Sequence, residues 1–118
     1  MGVVRQQGAE YEYTDYRLIP PQKAFDVAAA PEGGMEAFIS HFSYPDWLRE
    51  KHVGGIVIAL VSLDASGRVL SVQIVRSVYP FLDRMVREAI LRTKWTPALK
   101  NKNPTPAKFY LPVQFNKP

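Results

Sequence analysis

Apolar residues recur along the 118-residue chain with a period that changes from segment to segment. Behind Gly33-Gly34, Met35, Phe38, Ile39 and Phe42 fall three and four apart, the spacing of a short helix with one buried face. A second short helix is expected from Tyr44-Pro45, because proline is tolerated in a first helical turn. Trp47 and Leu48 supply its apolar side, and Gly54-Gly55 ends it. From Val53 to Ser77 the pattern becomes two β-branched runs around Asp64-Ala65-Ser66-Gly67, a short loop with glycine near its end, which predicts a β-hairpin. On the first strand Ile56, Ile58 and Leu60 share one face and Val57, Ala59, Val61 and Leu63 the other. Both faces are apolar, so this strand is expected to be central and largely covered. On the second strand Leu70, Val72 and Ile74 form the apolar face, with Ser71 and Gln73 pointing away.

The longest helix is expected over residues 80–94. Leu82, Met85, Val86, Ala89, Ile90 and Thr93 make its buried stripe, and Arg84, Arg87, Glu88 and Arg92 face water. Asp83 suits the helix's first turn, and Trp95-Thr96-Pro97 stops it. Residues 98–106, rich in Asn, Lys and Pro, read as a mobile loop. A last strand follows over 107–115, with Phe109, Leu111, Val113 and Phe115 facing the core and Tyr110 and Gln114 facing out. Pro112 lies inside it. Proline cannot donate to a ladder, so this strand is expected at a sheet edge.

Residues 1–30 differ from the rest. Tyr11, Tyr13, Tyr16 and Phe25 sit among polar residues, Pro20-Pro21 interrupts, and Ala28-Ala29-Ala30 leads into Pro31. This is an extended tail or linker, with residues 31–118 forming the single domain. Tyr11-Glu12-Tyr13 alternates with period two, so a second reading has it pairing as an added strand against a sheet edge.

Composition adds bounds. With 47% hydrophobic and 22% charged residues, the chain is globular rather than disordered. A net charge of +4 is mild and dispersed, without the basic stripe and exposed stacking aromatics of a nucleic-acid binder. There is no cysteine, so neither disulfides nor thiolate metal sites contribute. The longest apolar run, Ile56 to Val61, is too short to cross a membrane; any anchor belongs to a longer parent protein.

Catalysis finds little support. His41 and His52 lie at no metal-ligand spacing, the serines lack a nucleophile-elbow context, and Gly33-Gly34 follows no strand and precedes no Lys-Ser or Lys-Thr. Catalytic residues, metal and cofactors are expected to be none. What remains is the edge strand. An exposed edge is an aggregation hazard unless guarded or used. Pro112 and Lys108 suit a guard; β-augmentation by an extended peptide is the use. The residues alone leave both open.

Several short motifs occur in one order: Gly33-Gly34-Met35-Glu36-Ala37-Phe38, Tyr44-Pro45, Asp64 with Gly67, Leu82-Asp83, Trp95 to Pro97, and Leu111-Pro112-Val113-Gln114-Phe115. Together they resemble the C-terminal domain of TonB-type energy transducers, in the variant with the Gly-Gly-Met-Glu-Ala-Phe entry that looks typical of Bacteroidetes. The resemblance covers roughly residues 31–116. It implies an α+β fold in the order α-β-β-α-β, with a three-stranded antiparallel sheet packed against helices. It further implies a non-enzymatic periplasmic domain that binds the TonB box, a short extended segment of outer-membrane transporters, by β-strand addition. Carried over by position, the partner-binding strand is Lys108, Phe109, Tyr110, Leu111, Pro112, Val113, Gln114, Phe115 and Asn116, with His41, Phe42 and Ser43 nearby. The parent transducer would be anchored in the inner membrane and driven there by ExbB/ExbD-type motor proteins. The chain departs from the family at Ala98, where glycine is usual, and it carries neither the long Pro-rich spacer nor the membrane helix. An alternative reading is an interaction module of an envelope sensor or assembly protein that forms a homodimer through its edge strand.

Overall fold

The computed structural model describes residues 2–6, 9–13, 26–43, 45–51 and 53–115, the first two segments as backbone. Expectations placed on Tyr16, Pro20, Pro21, Phe25, Tyr44, His52 and Asn116 lie outside the described residues. In chain order the elements are β1 (Gly2–Gln6), β2 (Ala9–Tyr13), β3 (Ala30–Pro31), α1 (Gly34–Ile39), α2 (Asp46–Glu50) and β4 (Gly55–Leu63). Then follow β5 (Val69–Arg76), α3 (Pro80–Arg92), β6 (Trp95–Thr96), β7 (Ala98–Lys100), β8 (Asn103–Thr105) and β9 (Ala107–Phe115).

The fold is α+β. Its centre is the antiparallel set β9-β4-β5, and the main sheet continues past β9 in the order β1-β2-β9-β4-β5. β4 and β9 pair without a register shift from Gly55↔Phe115 to Leu63↔Ala107. Their inward rows, Val57, Ala59, Val61 and Leu63 with Phe109, Leu111, Val113 and Phe115, are buried together with Phe38 and Ile39 of α1 and Leu82, Val86, Ala89 and Ile90 of α3. Burying each large side chain contributes about 1.5–3 kcal/mol, so this one layer supplies most of the fold's driving force. The opposite row of β4, Ile56, Ile58 and Leu60, is only half-buried. The expectation of two covered faces therefore holds for one.

β5 departs from simple alternation. Its register against β4 shifts between Ile58 and Ala59 and again between Ser62 and Leu63, leaving Val75 and Leu70 as the extra residues. Both point out: Leu70 is 62% exposed and Val75 45%. A bulge inserts one residue and turns its neighbours, so Val69 replaces Leu70 among the residues packed on the core, beside Val72 and Ile74. The Arg87 guanidinium also donates to the Val72 carbonyl at 3.0 Å. Bulges and a covering cation are devices that spoil an edge as a template for another strand.

α3 begins at Pro80, where a missing N–H costs nothing. Asp83 reaches back from the first turn, accepting from the Val78 N–H at 3.2 Å and from the Ser77 hydroxyl. The expected loop at residues 98–106 is instead a tight hairpin, β7 with β8, turning at Asn101 and Lys102. Both have positive φ, 51° and 67°, the pair a two-residue primed turn demands. Contacts from earlier in the chain hold it. Leu99 and Val27 exchange backbone bonds of 3.0 and 2.9 Å, and Asp26 accepts from the Asn101 N–H at 2.7 Å. Ala30 and Pro31 then pair with Thr96 and Trp95, and Ala29 is buried, so the chain is engaged with the domain from Asp26 onward.

The β4–β5 turn shows why its sequence was legible. Gly67 N–H bonds the Asp64 carbonyl at 3.0 Å, and Asp64 Oδ1 accepts from the Ser66 hydroxyl (2.6 Å), the Ser66 N–H (2.8 Å) and the Arg68 N–H (2.9 Å). These bonds, the Ser66 hydroxyl foremost, hold the Asp64 carboxyl below its ordinary value of 3.8. A depressed folded-state pKa gives a stabilisation present above the unfolded value and lost as pH falls through the folded one. Asp64→Ala is thus expected to lower the urea midpoint at about pH 6, with the gap to the parent narrowing toward about pH 2.5. A gap independent of pH would assign the effect to the backbone turn alone.

Candidate functional site

β9 is the strand on which the expected partner-binding residues fall. Phe109, Leu111, Pro112, Val113 and Phe115 are buried, Tyr110 and Gln114 are half-buried, and Lys108 is exposed. The buried side chains fix the strand against β4, and the side chains of Lys108, Tyr110 and Gln114 are the ones that reach the surface. Asn116 lies outside the described residues.

Pro112 sits opposite Ile58 in an uninterrupted register. In an antiparallel ladder, successive residues alternate between bonding the partner and facing away from it. Proline leaves the β4 ladder intact only at a position facing away, so the outward-facing residues are Lys108, Tyr110, Pro112 and Gln114. Their backbone groups are what a strand arriving on the far side of β9 would meet.

Part of that side is taken. β2 pairs with β9 at Tyr11↔Phe115, Glu12↔Gln114 and Tyr13↔Val113. The expectation that the last strand is an edge is therefore corrected: over Val113–Phe115 β9 lies between β4 and β2, and among the described residues it is an edge only over Ala107–Pro112. Of the two readings of Tyr11-Glu12-Tyr13, the added strand is the one observed. At Pro112 itself the outward side of β9 has a carbonyl but no N–H to offer.

The segment His41, Phe42 and Ser43 lies against the C-terminal end of β9. The Phe42 ring stacks on Phe115 with centroids 5.7 Å apart, while His41 and Ser43 are exposed. The Ser43 N–H donates to Met85 Sδ at 3.3 Å, which ties the segment to α3. Phe42 and Phe115 are thus brought together; Lys108 and Tyr110 lie toward the other end of the strand. Sequence reasoning missed how Phe42 reaches the strand's far end. Phe42 packs on Phe38 (5.3 Å), Phe38 on Trp95 (6.2 Å) and Trp95 on Phe109 (5.5 Å), an aromatic arc that starts and finishes on β9. The signal available was the aromatic identity of all five residues, but not their order in space.

The outward side of β9 presents backbone N–H and C=O groups for pairing. Among the described residues no three His, Asp or Glu side chains converge as metal ligands. An open cleft of about 400 Å³ beside the β4–β5 turn is lined by Glu32, Arg68, Lys94 and Trp95 among others. The Ser66 hydroxyl at its rim donates to Asp64 Oδ1 within the β4–β5 turn. Among the described residues no helix is long and apolar enough to cross a membrane.

No curated protein matches the chain at a significant level. A family model described as Gram-negative bacterial TonB protein C-terminal matches residues 40–116, from the segment before α2 through the hairpin and α3 to the end of β9. That match spans more than half of the 118 residues, and the order of hairpin, helix and last strand within it is the one described above. The chain belongs to the TonB C-terminal domain family of Gram-negative bacteria.

Proposed function

We propose that this chain is the periplasmic receptor-binding domain of a TonB-type energy transducer. It takes the TonB box of an outer-membrane transporter as an added strand on β9, so that proton-motive work at the inner membrane reaches active uptake. Membership of the family supports a receptor-binding, non-catalytic role. The observation that carries the reading is the outward side of β9, where Ala107–Pro112 meets no strand among the described residues while Val113–Phe115 already accepts one. A strand that takes β2 is competent for strand addition. Lys108, Phe109, Tyr110, Leu111, Pro112, Val113, Gln114, Phe115 and Asn116 then form the site, with His41, Phe42 and Ser43 at its end. Coupling to ExbB/ExbD-type motor proteins belongs to an N-terminal anchor in the parent protein.

Binding should be weak. Ordering a box of about six residues costs about 1–2 kcal/mol each in backbone entropy, which leaves micromolar-scale affinity from a modest interface. A coupler under load must also release. The second reading, an envelope module that self-associates through its edge, draws on the same β2–β9 pairing, because a strand that adds within one chain can add between two. It predicts a concentration-dependent size and no response to receptor peptides.

The test is Gln114→Pro. Gln114 faces away from β4, so the substitution removes an N–H from the partner side and spares the central ladder. Receptor peptides that shift the amide resonances of residues 108–115 in the parent should bind the variant at least about tenfold more weakly, with the urea midpoint little changed. Unchanged affinity would remove this strand from the site.

A further inference from the structure

We infer that β2 is a built-in competitor for the partner strand: it must leave Val113–Phe115 before another strand can run the length of β9. The inference rests on the strand-addition reading and adds to it the segment that controls access. β4 holds β9 through every position from Ala107 to Phe115, whereas among the described residues β2 holds it through Val113, Gln114 and Phe115 alone. Among the described residues the other strand paired with β2 is β1. An isolated two-stranded hairpin is marginal in water, so β1 adds little to the grip. The contact is therefore short enough to exchange.

Pro112 sets the order of events. A partner strand can pair first along Ala107–Leu111, which the described residues leave open, and then replace β2 on the far side of the proline. Removing the β2 pairs and making the partner's pairs use the same outward N–H and C=O groups of β9, so the two strands exclude each other at Gln114. The opposite sheet edge gives a partner no better choice, since the bulges at Leu70 and Val75 and the Arg87 guanidinium disrupt it. With β2 seated for most of the time, the apparent affinity falls by the fraction of molecules in which it is lifted.

A disulfide tests this in the full chain. Glu12 and Gln114 are direct partners, antiparallel partners have the Cα separation a disulfide needs, and the chain has no other cysteine. In Glu12→Cys/Gln114→Cys, receptor peptides of about ten residues should bind the oxidised form at least about tenfold more weakly than the reduced form of the same protein. Glu12→Pro, which weakens β2 pairing without touching β9, should tighten binding about threefold to tenfold over the parent. In the parent, saturating peptide should also abolish hydrogen-exchange protection of the Glu12 amide, the one that faces Gln114 of β9. Equal, measurable affinity in the oxidised and reduced forms would overturn the competitor and leave the strand-addition reading standing. No binding to any form, Glu12→Pro included, would overturn both.

Discussion

Gly67→Ala is expected to cost about 2–5 kcal/mol and to leave much of the chain unfolded at modest urea concentration. Two separate costs add. Gly67 has φ +86°, a left-handed conformation that disfavours any Cβ by about 1–2 kcal/mol. A Cβ there would also stand 2.1 Å from the Trp95 carbonyl oxygen and 3.3 Å from Pro97 Cδ. The oxygen cannot step aside cheaply. Trp95 is buried, its indole N–H donates to the Ile90 carbonyl at 3.1 Å, and its backbone pairs with Pro31. Either the hairpin turn or the end of α3 has to give way, at an overpacking cost of about 1–3 kcal/mol. Domains of this size have about 5–15 kcal/mol in total, so the loss is a large share. Urea unfolding of the parent and the variant decides it. A change below about 1 kcal/mol would show that the turn is free to swing off Trp95.

That contact also marks where sequence reading stops. Gly67 was legible as the glycine of a hairpin, because the loop between two β-branched runs allows few alternatives. Its seat against Trp95 was not, since nothing local connects the two residues. The same division runs through the fold. α3 and β9 follow from a 3.6-residue stripe and from period-two alternation, patterns that burial on one face imposes on any sequence. The bulges of β5 could not be read: Leu70 looks as apolar as Val72, and only the register against β4 says which is skipped. The β7–β8 hairpin was hidden because its turn is Asn101-Lys102 rather than a glycine pair, and the prolines around it read as breakers. At the site, Pro112 marks a position with no N–H to give, but one residue cannot report that the chain's own Tyr11-Glu12-Tyr13 pairs with Val113–Phe115. Alternation identifies a strand. It does not name the edge that the strand will choose.

Phe38→Ala is the second large effect, and it separates support of the site from the site itself. Phe38 is completely buried and stands in the middle of the aromatic arc, edge-on to Phe42 at 72° and tilted against Trp95. Truncation removes its transfer energy and leaves a cavity, together about 3–5 kcal/mol, or a fall in Tm on the order of 20 °C. Phe38→Leu, which refills much of the space, should lose far less. The arc has a further consequence, because its two ends are Phe109 and Phe115 of β9. Those residues flank the outward-facing Tyr110 and Gln114, so the ring stack keeps the pleat that aims their backbone groups at a partner. Peptide affinity should therefore fall in Phe38→Ala even when measured well below its Tm and corrected for the unfolded fraction, and recover in Phe38→Leu. If the folded Phe38→Ala protein binds receptor peptides as tightly as the parent, the arc contributes stability alone, and β4 by itself is enough to hold β9 in the shape a partner strand requires.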